Sequence, residues 1–188
     1  MVTILFISTR SIESTSQGKC QEIKTVLVRL IGETLVAYKR GYHCNDLMVA
    51  FENPTDAIRF SFMFQERLRE RENHDSEMQL KLSHITQFGC VHGQFAAMGP
   101  HKTSGRAEYL GKVVNRAARV ADTASPGSVY FGTTDEVTEP FELVNDIQLT
   151  HVGVRTLKGI QDDIILYSCH RFSNNSELPN LYKDTPCQ

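Results

Sequence analysis

The chain has 188 residues, 40% of them hydrophobic and 22% charged, which is enough for one core and short for two. A net charge of −2 excludes a bulk electrostatic drive toward nucleic acid or an anionic membrane. The five cysteines, Cys20, Cys44, Cys90, Cys169 and Cys187, are scattered and lack C-x-x-C spacing, which argues against a disulfide framework or a zinc site and for free thiols in a reducing, cytoplasmic setting.

The opening run VTILFIS, Val2 to Ser8, is β-branched and aromatic and predicts a buried strand. It lacks a basic n-region and a cleavage site, and no apolar run approaches the roughly 20 residues that span a bilayer, so neither a signal peptide nor a membrane span is expected. After a polar stretch, Ile23, Val26, Leu27 and Leu30 recur at helical spacing, with Gly32 as the expected stop. TLVAYKRG and HCNDLMVAFEN then read as two strands of an antiparallel hairpin turning near Gly41. Asn53 as cap, Pro54 at the first helical position and Asp56 three residues past the cap announce the next helix. Within it Ala57, Phe60, Ser61, Phe64 and Leu68 form a core stripe, and Arg67, Arg69, Glu70 and Arg71 a solvated end.

MQLKLSHITQFGCVHGQFA alternates well enough for one long strand or two consecutive ones. MGPHKTSGRAEYLG reads as a loop leading into a helix from Gly111 to about Ala124, which SPG stops. SVYFGT is a strand, TTDEV a short helix, and IQLTHVGVRTLKG with DDIILYSCH a closing hairpin. A domain is therefore expected over residues 1–171 and a polar tail over 172–188. Helices alternate with short hairpins, which predicts an α+β sandwich with a mostly antiparallel sheet and helices on one face rather than a doubly wound fold.

GKVVNRAARV gives its helix one small, apolar side and puts Lys112, Asn115, Arg119 and Asp122 on another face. Spacing alone makes that a solvated surface. However, EYLGKVVNRAARV is similar to the signature of the class III adenylyl and guanylyl cyclase catalytic domain, Y-x-G-x-x-V-N-x-A-A-R. DLMVAFENPTDAIRFSFMFQERL resembles that family's preceding hairpin and helix, and VGVRTLKGIQDDIILY its closing hairpin, so the resemblance runs from about residue 2 to 167. It implies a ferredoxin-like sandwich that dimerises head to tail, with HKTSGR in an arm at the interface. Two aspartates of one subunit would hold two metal ions, and the facing subunit would contribute an asparagine, an arginine and a lysine.

Ring closure of ATP or GTP is an in-line attack of the 3′-hydroxyl on the α-phosphorus, which gathers negative charge. A guanidinium suits phosphoryl oxygens and an amide can orient a ribose. On the resemblance, Asn115 orients the ribose, Arg119 stabilises the phosphoryl group, Lys158 binds the triphosphate, and Glu108 stands where the purine edge is read.

The metal-binding half of the pattern breaks. Ser8 stands at the first aspartate's place and Asn45 at the second's, with Asp46 at the following glycine's. Gly41 occupies the purine-lysine position, with Lys39 on the same strand face if that strand is regular, and Arg40 beside it. Neutral oxygens are poor partners for divalent cations, and a one-residue slip toward Asp46 would turn its side chain to the other face. The expectation is a pseudoenzyme of phosphorus–oxygen lyase ancestry, inactive alone, that dimerises with itself or another cyclase-type domain or enters a larger assembly. Mg or Mn would be bound only where a partner supplies the ligands. The alternatives are a subunit completing a composite site with an aspartate-bearing partner, and an active homodimeric adenylyl cyclase.

Overall fold

A computed structural model describes residues 1–9, 17–74, 81–135 and 146–172. The predicted first strand is β1 (Val2–Ser8), followed by α1 (Gln17–Tyr38). A two-residue strand β2 (Tyr42–His43) forms a hairpin with β3 (Met48–Phe51), and α2 (Pro54–His74) follows. Next come the single turn α3 (Leu82–Ile85), β4 (Gln87–Gly93), β5 (Ala97–Pro100) and β6 (Ala107–Leu110). The chain continues through α4 (Lys112–Thr123), β7 (Val129–Thr133), β8 (Ile147–Thr156) and β9 (Asp163–Arg171).

Among the described residues, seven strands form one sheet in the order β2-β3-β1-β4-β7-β9-β8, antiparallel except where β4 meets β7. This is the mostly antiparallel α+β sandwich expected from the sequence. Strict alternation divides the core. Leu5, Ile7, Val49, Phe51, Phe88 and Cys90 point to one face, where the two long helices pack through Leu27, Leu30, Ile31, Phe60, Phe64 and Leu68. Val2, Ile4, Met48, Ala50 and Val91 point to the other, where the shorter α4 lays down Val113, Ala117 and Val120.

The α2 start follows its sequence. Asp56 N–H donates to Asn53 Oδ1 and Asn53 Nδ2 donates to Asp56 Oδ2, each at 2.9 Å, a reciprocal cap. The carboxylate of Asp56 also accepts from Tyr38 Oη at 2.9 Å and pairs with Arg40 at 3.2 Å, tying the end of α1 to the start of α2.

Several expectations need correction. Helix α1 runs through Gly32 to Tyr38, so TLVAY is helical. The stripe continues as Leu27, Leu30, Ile31 and Thr34, all buried, and nothing lies within 4 Å of a Cβ built at Gly32, so the glycine neither demands nor prevents a break. The helix stops at Lys39, whose φ of 63° puts it in the left-handed region. Lys39 is therefore not on a strand, and the hairpin turn falls at residues 44–47 rather than near Gly41. Leu82–Ile85 is a helical turn, held by Glu72, whose carboxylate accepts from Ser83 N–H at 2.6 Å and Ser83 Oγ at 2.7 Å, so β4 begins only at Gln87. The expected loop before α4 contains the separate hairpin β5–β6. Most of the short helix expected at TTDEV, and the tail beyond Phe172, lie outside the described residues.

Candidate functional site

Helix α4 presents the polar face the sequence predicts because its small side sits directly on the sheet. A Cβ added to Gly89 of β4 would lie 2.1 Å from the backbone nitrogen of Ala121, closer than atoms can approach. Only glycine allows the helix backbone to come this near. Gly111, at φ 131°, makes the sharp turn from β6 into the helix and takes its N-cap position. Asn115 and Arg119 are both exposed, one turn apart.

Arg119 Nη1 lies 3.3 Å from Asp122 Oδ2, and Asp122 Oδ1 accepts a hydrogen bond from Ser8 Oγ at 3.1 Å. Ser8, at the end of β1 and only 9% exposed, is on the strand face that α4 covers. Strand β1 is thus joined to the arginine of α4 through one carboxylate. The Arg119–Asp122 pair is substantially solvated and contributes little stability, but it orients the guanidinium.

Lys158 is exposed at the turn joining β8 to β9. Leu157 is buried in the α4-side core, and Ile160 N–H donates to Leu157 O at 2.9 Å. At its far end, Asp162 pairs with Arg116 of α4. Arg116 Nε is buried and has no hydrogen-bond partner among the described residues, a sacrifice of about 1–3 kcal/mol that the charged contact offsets. The structure therefore brings Lys158's turn onto the helix that carries Asn115 and Arg119.

Glu108 is half-buried on β6, opposite Gly99 of β5. The β5–β6 arm is steadied by Phe95 against Tyr109, edge to face at 5.2 Å. Its tip reaches the β2–β3 hairpin, where Arg106 Nη1 lies 3.2 Å from His43 Nε2. Burial lowers the His43 pKa, and the Arg106 charge adds to that shift. Exposed apolar side chains, Met98 and Leu110 of the arm with Phe95 and Tyr42, mark this part of the surface.

The β2–β3 turn carries Asn45, where the resemblance leads one to expect the second aspartate. Asn45 gives its carbonyl to Met48 N–H at 3.1 Å. Asp46, at φ 50°, turns its carboxylate to Lys24 of α1 at 2.9 Å, toward the helix layer opposite α4. The side chains of Ser8 and Asn45 are thus a hydroxyl already donating to Asp122 and an amide, neither carrying charge, a pair that does not fit two divalent cations. Arg40 is engaged by Asp56, and Lys39 ends α1. A cavity of about 290 Å³ between α2 and the ends of β7 and β9, lined by Gln65, Arg69, Ser128 and His170 among others, holds none of the predicted site residues.

Sequence reading missed the Ser8–Asp122 and Arg116–Asp162 contacts, which join residues 114 and 46 apart. The only local signal was the position of Arg116, next to Ala117 on the flank of a helix whose apolar side is buried.

No protein-family profile matches the sequence, and no curated protein matches it. Solved structures do. An adenylate cyclase from Trypanosoma brucei in its monomeric state is similar at 19% identity and a TM-score of 0.62, over 89% of this chain and 88% of that one. The adenylyl cyclase CyaB from P. aeruginosa is similar at 14% identity and a TM-score of 0.64, over 94% and 95%. The guanylate cyclase domain of RhGC from Catenaria anguillulae, solved in complex with GTP, is similar at 13% and 0.62, over 92% and 97%. At these identities the likeness is one of fold.

Proposed function

We propose, for a chain with the fold of class III nucleotidyl cyclase catalytic domains, that it makes no cyclic nucleotide by itself and acts as a dimerising or assembly subunit. The observation that carries this reading is Ser8: where the fold's resemblance calls for a carboxylate facing a metal ion, a neutral hydroxyl donates to Asp122 instead. Asn45 is neutral as well, and Asp46 is engaged by Lys24. Without a carboxylate at either of these two positions, Mg or Mn is not held against its own hydration. The exposed Met98, Leu110, Phe95 and Tyr42 around the β5–β6 arm support burial of that surface against another cyclase-type domain.

A second reading is favoured by the exposure of Asn115, Arg119 and Lys158 on one helix and the turn docked to it. In it, the chain completes a composite site on an aspartate-bearing partner, which supplies the metal ligands. Asn115 would then orient the ribose, Arg119 would meet charge developing on the α-phosphoryl oxygens, Lys158 would hold the triphosphate, and Glu108 would accept from a purine amino group.

The test is a cyclase assay of the pure chain with Mn and ATP or GTP, repeated in mixture with an aspartate-bearing cyclase subunit. The chain alone is expected to be silent. Product formed only in the mixture, falling about 10²- to 10³-fold in Arg119→Ala while dimerisation persists, establishes the composite site. Turnover by the chain alone that Arg119→Ala removes would overturn the primary reading.

A further inference from the structure

Arg116 follows Asn115 in α4 yet does not share its outward face. Its side chain is only 20% exposed, and it reaches across to Asp162 at the far end of the turn that carries Lys158. Three tethers hold that turn: Leu157 sinks into the α4-side core, Asp162 meets Arg116, and Thr156 Oγ1 donates to Asp163 Oδ1 at 2.7 Å across the neck of the hairpin. Lys158 is left exposed at the apex, and the resulting arrangement has a charge logic. Asp162 lies four residues from Lys158 in the same turn, and its carboxylate is taken up by Arg116.

We infer that Arg116 is a positioning residue: through Asp162 it seats the β8–β9 turn on α4 and keeps Lys158 extended, so that Lys158 and Arg119 engage one polyphosphate together. The inference rests on the composite-site reading of Lys158 and Arg119, and it adds a residue outside the groups that reading assigns. Two cations on flexible stems act together on one polyanion only when the backbones carrying them are fixed relative to each other. The Arg116–Asp162 pair is the polar link that provides this between α4 and the turn.

The experiment uses the full chain and inorganic triphosphate, with affinity read by calorimetry and folding checked by thermal melting. Lys158→Ala and Arg119→Ala are each expected to weaken binding about tenfold. Arg116→Met, which keeps the bulk of the stem, is expected to weaken it as much as Lys158→Ala. Adding Lys158→Ala to Arg116→Met should then cost little more, and the exchange Arg116→Asp with Asp162→Arg should recover affinity to within about twofold. A merely structural arginine would give additive losses and no recovery. Should Arg116→Met fail to fold, Asp162→Asn on the turn carries the same comparison. Unchanged affinity in both variants, with Lys158→Ala still weakening binding, overturns the positioning role and leaves the composite reading intact. Binding insensitive to both Lys158→Ala and Arg119→Ala, or no binding at all, overturns both.

Discussion

At the scale of single residues, the informative position is Ser8. Its hydroxyl donates to a carboxylate at 3.1 Å, so an aspartate there would set two anions against each other. Ser8→Asp is expected to lower stability by about 1 kcal/mol, a fall in melting temperature of about 2–4 °C, and Asp122→Asn in the same chain should reverse it. Introducing both charges, with Ser8→Asp and Asn45→Asp together, should make the melting temperature rise with added Mn, where that of the unaltered chain does not move. A Mn-dependent rise in the unaltered chain would contradict the donor chemistry described above. That Asn115 and Arg119 share an exposed face of α4 was legible in the sequence because both fall within one local run. The partners of Ser8 and Arg116 were not, since a hydrogen bond spanning 114 residues leaves no trace in local spacing.

Among the elements, α4 lies closest over one neighbour in β4, Gly89. Gly89→Ala drives a methyl group into the helix backbone and is expected to cost about 3 kcal/mol or more by lifting α4 from the sheet. Because that helix bears Asn115 and Arg119 and anchors the Lys158 turn, the same change should weaken triphosphate binding without touching any of the three; an unshifted melting temperature would refute the close docking. The elements best read in advance had strong local chemistry: the β-branched run of β1, the Asn53–Asp56 cap of α2, and the small side of α4. Those misread had tertiary causes. Gly32 looks like a stop, but burial of Leu30, Ile31 and Thr34 carries α1 past it. Leu82–Ile85 looks like strand until Glu72 reaches across to satisfy the turn's start. The strands of the β5–β6 arm are only four residues each, too short for periodicity to reveal.

For the molecule as a whole, the core carries thiols that titrate unfavourably. Burial pushes Cys44 up to about 12 and raises Cys90 and Cys169 as well. An unfolded chain releases these protons from about pH 8.5, whereas the folded chain retains them. Their contribution is thus fully present below about pH 8.5 and is lost as pH rises through the folded values. Three thiols together can remove up to about 4 kcal/mol per pH unit. Tyr38, raised by burial and by its hydrogen bond to Asp56, adds to the loss above about pH 10. Melting curves between pH 7 and 11 should show a steep alkaline decline that Cys169→Ala makes shallower; a flat profile would mean that the thiols are not sequestered. No described helix is long and apolar enough to cross a membrane.

The sheet closes at one margin with β8, ten residues long, and no described segment pairs with its outer side. Exposed Val152 and Val154 would make that rim a template for stacking one molecule on the next. Between His151 and Gly153 the ladder slips by a residue, with Gly153 at φ 130°. The kink interrupts the straight row of amides and carbonyls a second strand would need. The sheet is thereby kept from growing sideways into fibrils.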